Sequence, residues 1–129
     1  MSSKQGQGHY TWADGSTYDG EWFGNDLEGY GSYKWADGRL YHGAWKKNQM
    51  HGHGIYIYSE GIRYDGQFEK DKKAGYGIYY WPDGRKYDGW WHNSKQHGVG
   101  LYLDPKKGTV KYGMWEHGKR LMWFKESEI

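Results

Sequence analysis

The sequence repeats itself every 23 residues, and this period constrains the fold more than any other feature. A Gly-x-Gly pattern begins at positions 6, 29, 52, 75 and 98, and a YxGxW pattern or close variant begins at positions 18, 41, 64 and 87. A fifth copy of the second pattern, KYGMW, begins one residue late, at position 111. A register held over this length predicts an array of like units, each packed against its neighbours in sequence.

Each unit alternates in the way that a β-hairpin does. Tyr18, Gly20 and Trp22 lie on one face of a predicted strand, because successive side chains of a strand point to opposite faces. Turn-forming residues separate the strands at Asp14-Gly15, Asp37-Gly38, Glu60-Gly61 and Pro82-Asp83-Gly84. The sequence therefore predicts an all-β fold, an elongated and twisted single-layer antiparallel sheet of consecutive hairpins with one repeat per hairpin.

Aromatic residues are the main source of buried surface for such a sheet. Only 36% of the residues are hydrophobic, but 20% are Phe, Trp or Tyr. A single-layer sheet has no second sheet to cover its rings, and glycines on the facing strand let the rings lie flat on backbone. We expect a structural aromatic groove made of Tyr18, Trp22, Tyr33, Trp35, Tyr41, Trp45, Tyr64, Phe68, Tyr87, Trp91 and Trp115.

Composition excludes several classes of function. The chain has no Cys, so it holds no disulfide and no Cys-ligated metal. No apolar run approaches the length of about 18 residues that a membrane span needs, so we expect any membrane contact to be peripheral. The net charge of +2 is too small to predict nucleic-acid binding. Its distribution is uneven, since residues 1–33 carry one Lys and five carboxylates.

No catalytic constellation is found in the sequence. P-loop, GxSxG and HExxH motifs are absent, and Asp14, Asp37 and Asp83 are turn residues. His51 and His97 take the repeat position before Gly-x-Gly, without the third and fourth ligands of a metal site. We therefore predict a protein that is not an enzyme and that binds no metal and no cofactor.

Repeats of this form, YxGxW followed by HGxGxYxWxDG, resemble the membrane occupation and recognition nexus (MORN) repeat. The clearest copies are YHGAWKKNQMHGHGIYIYSEG at 41–61 and YDGWWHNSKQHGVGLYL at 87–103. The resemblance covers residues 6–117 and implies an elongated sheet of stacked hairpins. It also implies that the protein positions its partners. Members of the family occur in junctional, ciliary and cytoskeletal proteins and in lipid kinases, and phospholipid binding is proposed for some of them.

The repeat also predicts the organisation of the chain. We expect an N-terminal tail or cloning remnant at 1–5, the array of a half repeat and about five repeats at 6–117, and a C-terminal cap and tail at 118–129. The array begins in mid-repeat, which leaves open whether the chain is an excerpt of a longer one. Met122 stands where a Gly is due, as expected of a terminal cap.

Basic residues gather in the turn after each YxGxW strand. All of these turns fall on one edge of the predicted sheet, about 9–10 Å apart. Asp26 and Glu69 share that edge, so plain solubility is an alternative role for the lysines. The candidate binding residues for an anionic phospholipid are Lys46, Lys47, Lys70, Lys72, Lys73, Lys95, Lys119 and Arg120.

The face opposite the aromatic groove changes from polar to apolar along the chain. From the third repeat we expect nine apolar residues to form one contiguous patch, larger than monomers usually expose. Trp90 takes the position of Glu21, Ala44 and Gln67 in the other repeats. Either the tail at 121–124 folds back over the patch, or the patch is a protein interface. The predicted interface residues are Ile55, Ile57, Ile78, Tyr80, Trp90, Val99, Leu101, Leu103 and Met114.

Together these features predict a non-catalytic scaffold that tethers protein partners at the interface between membrane and cytoskeleton. The expected partners are a cytoskeletal or membrane-associated protein, docked by an apolar helix, or a second copy in a homodimer, and an anionic phospholipid. The alternative is a regulatory or phospholipid-binding module of a larger protein such as a lipid kinase. The expected location is cytoplasmic, peripheral to membrane or cytoskeleton, with cilium and cell cortex included.

Overall fold

The computed structural model describes residues 6–125, which form a single sheet of 11 strands. Each strand pairs in antiparallel sense with its neighbours in sequence, so the predicted sheet of consecutive hairpins is confirmed. The strands are β1 (Gly6–Thr11), β2 (Thr17–Phe23), β3 (Asp26–Lys34), β4 (Leu40–Lys46), β5 (Gln49–Ser59), β6 (Ile62–Glu69), β7 (Lys72–Tyr80), β8 (Lys86–His92), β9 (Lys95–Asp104), β10 (Thr109–Glu116) and β11 (Lys119–Trp123).

Two kinds of turn alternate and lie at opposite ends of the strands. The turn after each YxGxW strand has two residues with positive φ, such as Lys47 (48°) and Asn48 (68°). This is the type I′ geometry that suits the twist of a hairpin. The Asp-Gly turns lie at the other end, where the Trp35 N–H donates to the Arg39 carbonyl at 2.9 Å. We call the type I′ end, with turns at 24–25, 47–48, 70–71, 93–94 and 117–118, the lysine edge.

The type I′ turns also join each hairpin to the one before it. The Asn48 N–H donates to the Leu27 carbonyl at 3.1 Å, and Asn48 Oδ1 accepts the Leu27 N–H at 2.8 Å. The same backbone bond recurs from Asp71 to Met50 and from Ser94 to Lys73. The repeat position of Leu27, Met50 and Lys73 is therefore held at the same place in successive hairpins.

Each tyrosine of the YxGxW pattern lies flat on a pair of glycines. Tyr64 is 0% exposed, and a Cβ added to Gly77 would lie 2.2 Å from its hydroxyl oxygen. A Cβ added to Gly66 would lie 2.4 Å from the Gly77 Cα. The Tyr64 hydroxyl donates to the Gln67 carbonyl at 2.9 Å, so the buried oxygen is satisfied. The predicted role of the glycines, to receive rings on bare backbone, is confirmed.

The second ring of each pattern packs edge-on between successive tyrosines. Tyr41 lies 5.1 Å from Trp45 of its own repeat and 5.2 Å from Phe68 of the next, with interplanar angles of 84° and 89°. Such pairs add about 0.5–1.5 kcal/mol beyond the burial of their area. Trp45 Nε1 also donates to the Gly31 carbonyl at 3.2 Å. This buried ladder, which we call the inner tier, consists of Tyr18, Trp22, Tyr41, Trp45, Tyr64, Phe68, Tyr87, Trp91 and Trp115.

The last strand differs from the others because Met122 replaces a bulge glycine. The equivalent Gly98 has φ +97°, a conformation that L side chains rarely adopt. Without that glycine the bulge is shorter, and Gly113 pairs with Trp123, whose ring lies 5.6 Å from Trp115. The Phe124 N–H donates to the Tyr112 carbonyl at 2.9 Å. Residues 119–124 thus extend the sheet, and the alternative that 121–124 fold back over the opposite face is wrong.

Gly77→Ala should destabilise the fold by about 3 kcal/mol or more, because its Cβ would overlap the Tyr64 ring. Gly38→Ala is the matched control, since its Cβ meets no atom within 4 Å but its φ is +98°. The control should cost only about 1 kcal/mol, the strain of a left-handed alanine. Urea unfolding followed by tryptophan fluorescence measures both. Equal losses would show that ring contact with bare backbone is not what the strand glycines provide.

Candidate functional site

A second tier of rings lies over the inner tier and is only partly buried. Tyr33 and Trp35 were expected to be structural, but they belong to this tier, with ring centroids 4.6 Å apart. The Trp35 ring centroid in turn lies 5.3 Å from that of Tyr56. The partly buried rings, which we call the outer tier, are Trp12, Tyr33, Trp35, Tyr58, Tyr79, Trp81, Tyr102 and Trp123.

The outer tier borders two open clefts on the same face of the sheet. The larger, of about 680 Å³, lies on the first repeats and is lined by Trp12, Trp35, Arg39 and Lys73 among others. The smaller, of about 520 Å³, lies near the C-terminal repeats beside Trp123. Both volumes fall in the usual range of ligand sites, about 300–1,000 Å³. We call this face, with both clefts, the aromatic groove; most of the rings that the sequence assigns to a structural groove lie in the inner tier beneath it.

Two arginines extend the groove with stacked guanidinium groups. Arg39 lies over the Trp35 ring at 5.0 Å and donates to the Tyr56 hydroxyl at 2.8 Å. Its Nε also donates to Asp37 at 2.9 Å, and the hydrogen bond from the Arg39 backbone N–H, followed by this side-chain bond, holds the pKa of the Asp37 carboxyl below its usual value. Arg85 repeats the arrangement on Trp81, Asp83 and Tyr102. Each arginine thus has a carboxylate partner from its own Asp-Gly turn.

Lys73 places an ammonium among aromatic rings without such a partner. Its Nζ lies 4.9 Å from the Tyr58 ring, 5.5 Å from Tyr64, 5.9 Å from Tyr79 and 5.7 Å from Trp91. No carboxylate among residues 6–125 forms an ion pair with it. Burial lowers the pKa of Lys73 to about 8. The side chain therefore belongs to the groove and not to the row of basic residues in which the sequence placed it.

The other predicted lipid-binding residues divide between the lysine edge and the groove. Arg120 lies over the Trp123 ring at 4.4 Å and lines the smaller cleft, so it also belongs to the groove. Acidic groups share the edge, where Glu28 accepts the Lys47 N–H at 3.1 Å. The exposed basic residues of the edge are Lys46, Lys47, Lys70, Lys72, Lys95 and Lys119.

The strand register interrupts the apolar patch predicted on the opposite face, here called the second face. Asp65 is paired with both Ile55 and Ile78, and Asp88 with both Ile78 and Leu101. The neighbouring row alternates similarly, in the order Ile57, Arg63, Tyr80, Lys86 and Leu103. The prediction that all nine residues form one contiguous patch is therefore wrong, because YxGxW strands place charged residues between the apolar ones.

An apolar cluster remains at the C-terminal end of the second face. Trp90 is 52% exposed, and its ring lies 5.8 Å from that of Tyr76, its opposite residue in the ladder. The Tyr76 hydroxyl donates to Asp88, and burial raises the pKa of this carboxyl. We define the second-face cluster as Tyr76, Trp90, Val99, Leu101, Leu103, Val110, Met114 and Met122.

The part of the chain that the structure describes shows neither a metal-binding cluster nor a membrane-spanning helix. Within residues 6–125, no set of three or more His, Cys, Asp or Glu side chains is arranged to hold a metal ion. The same residues contain no helix, and hence none that is long and apolar enough to cross a membrane. Histidines instead pair locally, as His53 does with Asp65 at 2.8 Å.

Sequence reasoning missed most of the outer tier and the orientation of Lys73. Tyr58, Tyr79, Trp81 and Tyr102 precede the Asp-Gly turns or their equivalents, where repeat alignment shows a ring in every copy at the position of Tyr79 and in all but the last at that of Trp81. A signal for Lys73 is also present in the sequence. At the 23-residue period it falls on the position of Leu27 and Met50, both buried, rather than on an exposed turn position.

Lys73→Met should raise the free energy of unfolding at pH 7, because it removes a partly buried charge and inserts the residue that Met50 supplies one repeat earlier. Between pH 8 and 10.5 the unfolded wild type keeps the Lys73 proton that the folded protein has lost, since the folded pKa is about 8 and the ordinary value 10.5. Wild-type stability therefore gains with pH in this window, and the advantage of the variant should shrink.

Urea unfolding of both proteins from pH 7 to 10.5 measures this difference. The buried tyrosines, whose pKa burial raises to about 12 at Tyr18 and Tyr87, contribute equally to both proteins and cancel. Lys72→Met is the control, since Lys72 lies next in sequence but is exposed, and it should give no such window. A difference between wild type and Lys73→Met that stays constant with pH would contradict the burial of the ammonium.

Comparison with protein families assigns the repeats that form these hairpins. The family model described as MORN repeat matches residues 4–17, 18–38, 41–63, 64–84 and 87–109, well over half of the chain. No curated protein matches the chain in the corresponding search. The matched segments follow the period of the sheet, and the resemblance found in the sequence is confirmed. The chain belongs to the MORN repeat family.

Proposed function

We propose that this chain is a non-catalytic interaction scaffold whose aromatic groove binds an extended segment of a partner protein. The outer tier is the observation that carries the proposal. Its eight rings are partly exposed above an inner tier that is already closed beneath them. Membership of the MORN repeat family is consistent with a module that interacts with proteins or membranes.

The dimensions and chemistry of the groove suit a peptide chain. Equivalent rings recur every two strands, about 9–10 Å, which is the length of about three residues of extended chain. A segment of about twelve residues would then span four repeats. Aromatic and arginine side chains in partly desolvated pockets are the usual energetic centres of protein interfaces. Trp35 with Arg39 and Trp81 with Arg85 are two such pairs.

Peptides selected on the wild-type protein from a random dodecapeptide phage library should depend on the outer tier. Trp35→Ala and Trp81→Ala should each weaken a selected peptide by tenfold or more, in line with interface hot spots of about 2 kcal/mol. Trp90→Ala on the second face is the matched control and should leave affinity unchanged. Fluorescence anisotropy gives the dissociation constants. Peptides that bind through Trp90, or a library that yields none, would contradict a peptide-binding groove.

A second surface supports self-association as a further part of the proposed function. Trp90, at 52% exposure, and Met122, at 46%, lie in the second-face cluster. Residues 119–124 extend the sheet and leave this cluster open among the described residues. A large aromatic residue in an exposed apolar patch is typical of an interface. We infer that two chains pair through these clusters.

Trp90→Glu should convert a dimer to a monomer, because it puts a charge at the centre of the paired clusters. Light scattering over a range of concentrations should give twice the chain mass of 15.2 kDa for the wild type and a single mass for the variant. Tyr30→Glu is the control, since Tyr30 is an exposed ring on the same face at the N-terminal end. A wild type that is monomeric at every concentration would overturn self-association.

The membrane side of the proposed tethering rests on the lysine edge. Its exposed lysines recur along one end of the sheet and suit the anionic headgroups of a membrane that also holds the cytoskeletal partner. A regulatory or phospholipid-binding module of a larger protein such as a lipid kinase is the alternative, and the same edge would serve it. Either role keeps catalysis outside this chain.

Lys46→Glu combined with Lys72→Glu should abolish sedimentation with phosphatidylserine vesicles at low salt, through lost charge attraction. The control is a variant of equal net charge, with Lys34→Glu and one further such change away from the edge. Lys34 is exposed and lies away from the edge, so this variant should bind like the wild type. The wild type should also be released as salt is raised. Binding that is indifferent to both salt and the edge lysines would exclude the electrostatic mechanism.

A further inference from the structure

Lys73 occupies a repeat position that the two hairpins before it fill with an apolar side chain. Leu27 and Met50 hold this position at 5% and 8% exposure, and Gln96 holds it in the next repeat. The hydrogen bond between the Ser94 N–H and the Lys73 carbonyl keeps the backbone in the same place at 2.9 Å. The groove therefore receives an ammonium at a site where the two preceding repeats pack an apolar side chain, and the last hairpin has the guanidinium of Arg120 at the same ladder position.

We propose that Lys73 is the specificity-determining residue of the aromatic groove and that it pairs with a carboxylate of an acidic partner segment. The proposal rests on the proposed function, since it assumes that the groove binds a peptide. It adds the chemistry of the partner: an extended segment with an Asp or Glu side chain at the Lys73 position and apolar side chains on the rings beside it.

The charges around Lys73 leave its ammonium without an internal counterion. Arg39 and Arg85 have Asp37 at 2.9 Å and Asp83 at 2.7 Å, whereas no described carboxylate is paired with Lys73. Asp71 lines the same cleft, but its Oδ1 accepts the Met50 N–H at 2.8 Å. A desolvated cation with no counterion is costly, and an arriving carboxylate offsets that cost.

The ammonium is also open to an arriving ligand. Among the described residues, no buried side-chain nitrogen or oxygen lacks a hydrogen-bond partner. Lys73 Nζ makes no hydrogen bond to a described residue, so it is not fully buried and part of its surface is accessible. Lys73 lines both the larger cleft and a neighbouring one of about 350 Å³ beside Trp91. A segment that crosses from one to the other passes over this ammonium.

A purely structural role for Lys73 is the competing explanation. The second repeat has Tyr58 and Ile62 where its neighbours have a Trp and an Arg, so Lys73 supplies the cation over the ring that an Arg supplies elsewhere. That contact stabilises a cation, but it provides no counterion. At the other end of the groove cations also predominate, since Lys107, Lys111 and Arg120 line the smaller cleft together with a single carboxylate, Asp104. An acidic segment complements both regions.

The test compares peptides selected from the random dodecapeptide library on the wild type and on Lys73→Met. Wild-type selections should carry Asp or Glu at one fixed position, and Lys73→Met selections should lose it. For a selected peptide, Glu→Gln at that position should weaken binding to the wild type about tenfold and to Lys73→Met less than twofold. Lys72→Met, one residue away but exposed, should behave as the wild type. Unfolding curves establish that all variants are folded.

Other outcomes distinguish a failure of this inference from a failure of the proposed function. Groove-dependent peptides with no acidic position, or with equal sensitivity on Lys73→Met, would overturn the carboxylate pairing and keep the peptide-binding groove. A library that yields no groove-dependent peptide would overturn both. Vesicles with phosphatidylinositol bisphosphate form a further arm. If Lys73→Met abolishes vesicle binding and leaves peptide affinity intact, the ammonium pairs with a lipid phosphate and the inference is wrong.

Discussion

The contact of a tyrosine ring with two bare glycines is the constraint on which this structure depends. In a single-layer sheet only backbone can cover the underside of a ring, and a Cβ on Gly31 would lie 2.0 Å from the Tyr18 hydroxyl. Glycine weakens an isolated strand. Here the lost propensity is offset by burial of a complete ring and by edge-to-face contacts that continue from one repeat to the next.

This arrangement places the rings that hold the fold together in the inner tier and the rings proposed for binding in the outer tier. The inner tier uses its hydroxyl and indole groups internally, as Tyr41 does with the Ala44 carbonyl at 2.9 Å. The outer tier packs on the inner tier but is not what encloses the inner rings. Its composition therefore varies between repeats without loss of the period, from Trp35 with Arg39 to Tyr58 with Lys73. The proposed recognition role thus falls on the side chains that differ most along an otherwise regular array.

The sequence predicts the hairpins and the ring-on-glycine core well, because both follow from period and alternation within one chain segment. It predicts less of the candidate site. Strand register decides that Asp65 lies between Ile55 and Ile78, and alternation alone shows only that the apolar residues share a face. The register pairs Lys73 with Phe68 on the groove side, where proximity to a turn had indicated an exposed edge. Both misreadings arise from relations between strands.

Hydrogen exchange of the indole N–H groups tests the two-tier account most directly. Trp45 and Trp91 donate from Nε1 to glycine carbonyls at 3.2 and 3.1 Å, so their exchange should require opening of the sheet. Trp35 and Trp81 make no such bond to the described residues, and their indoles should exchange orders of magnitude faster. Equal protection of the two pairs would contradict the account, since the outer tier would then be closed core and would offer no surface for a partner.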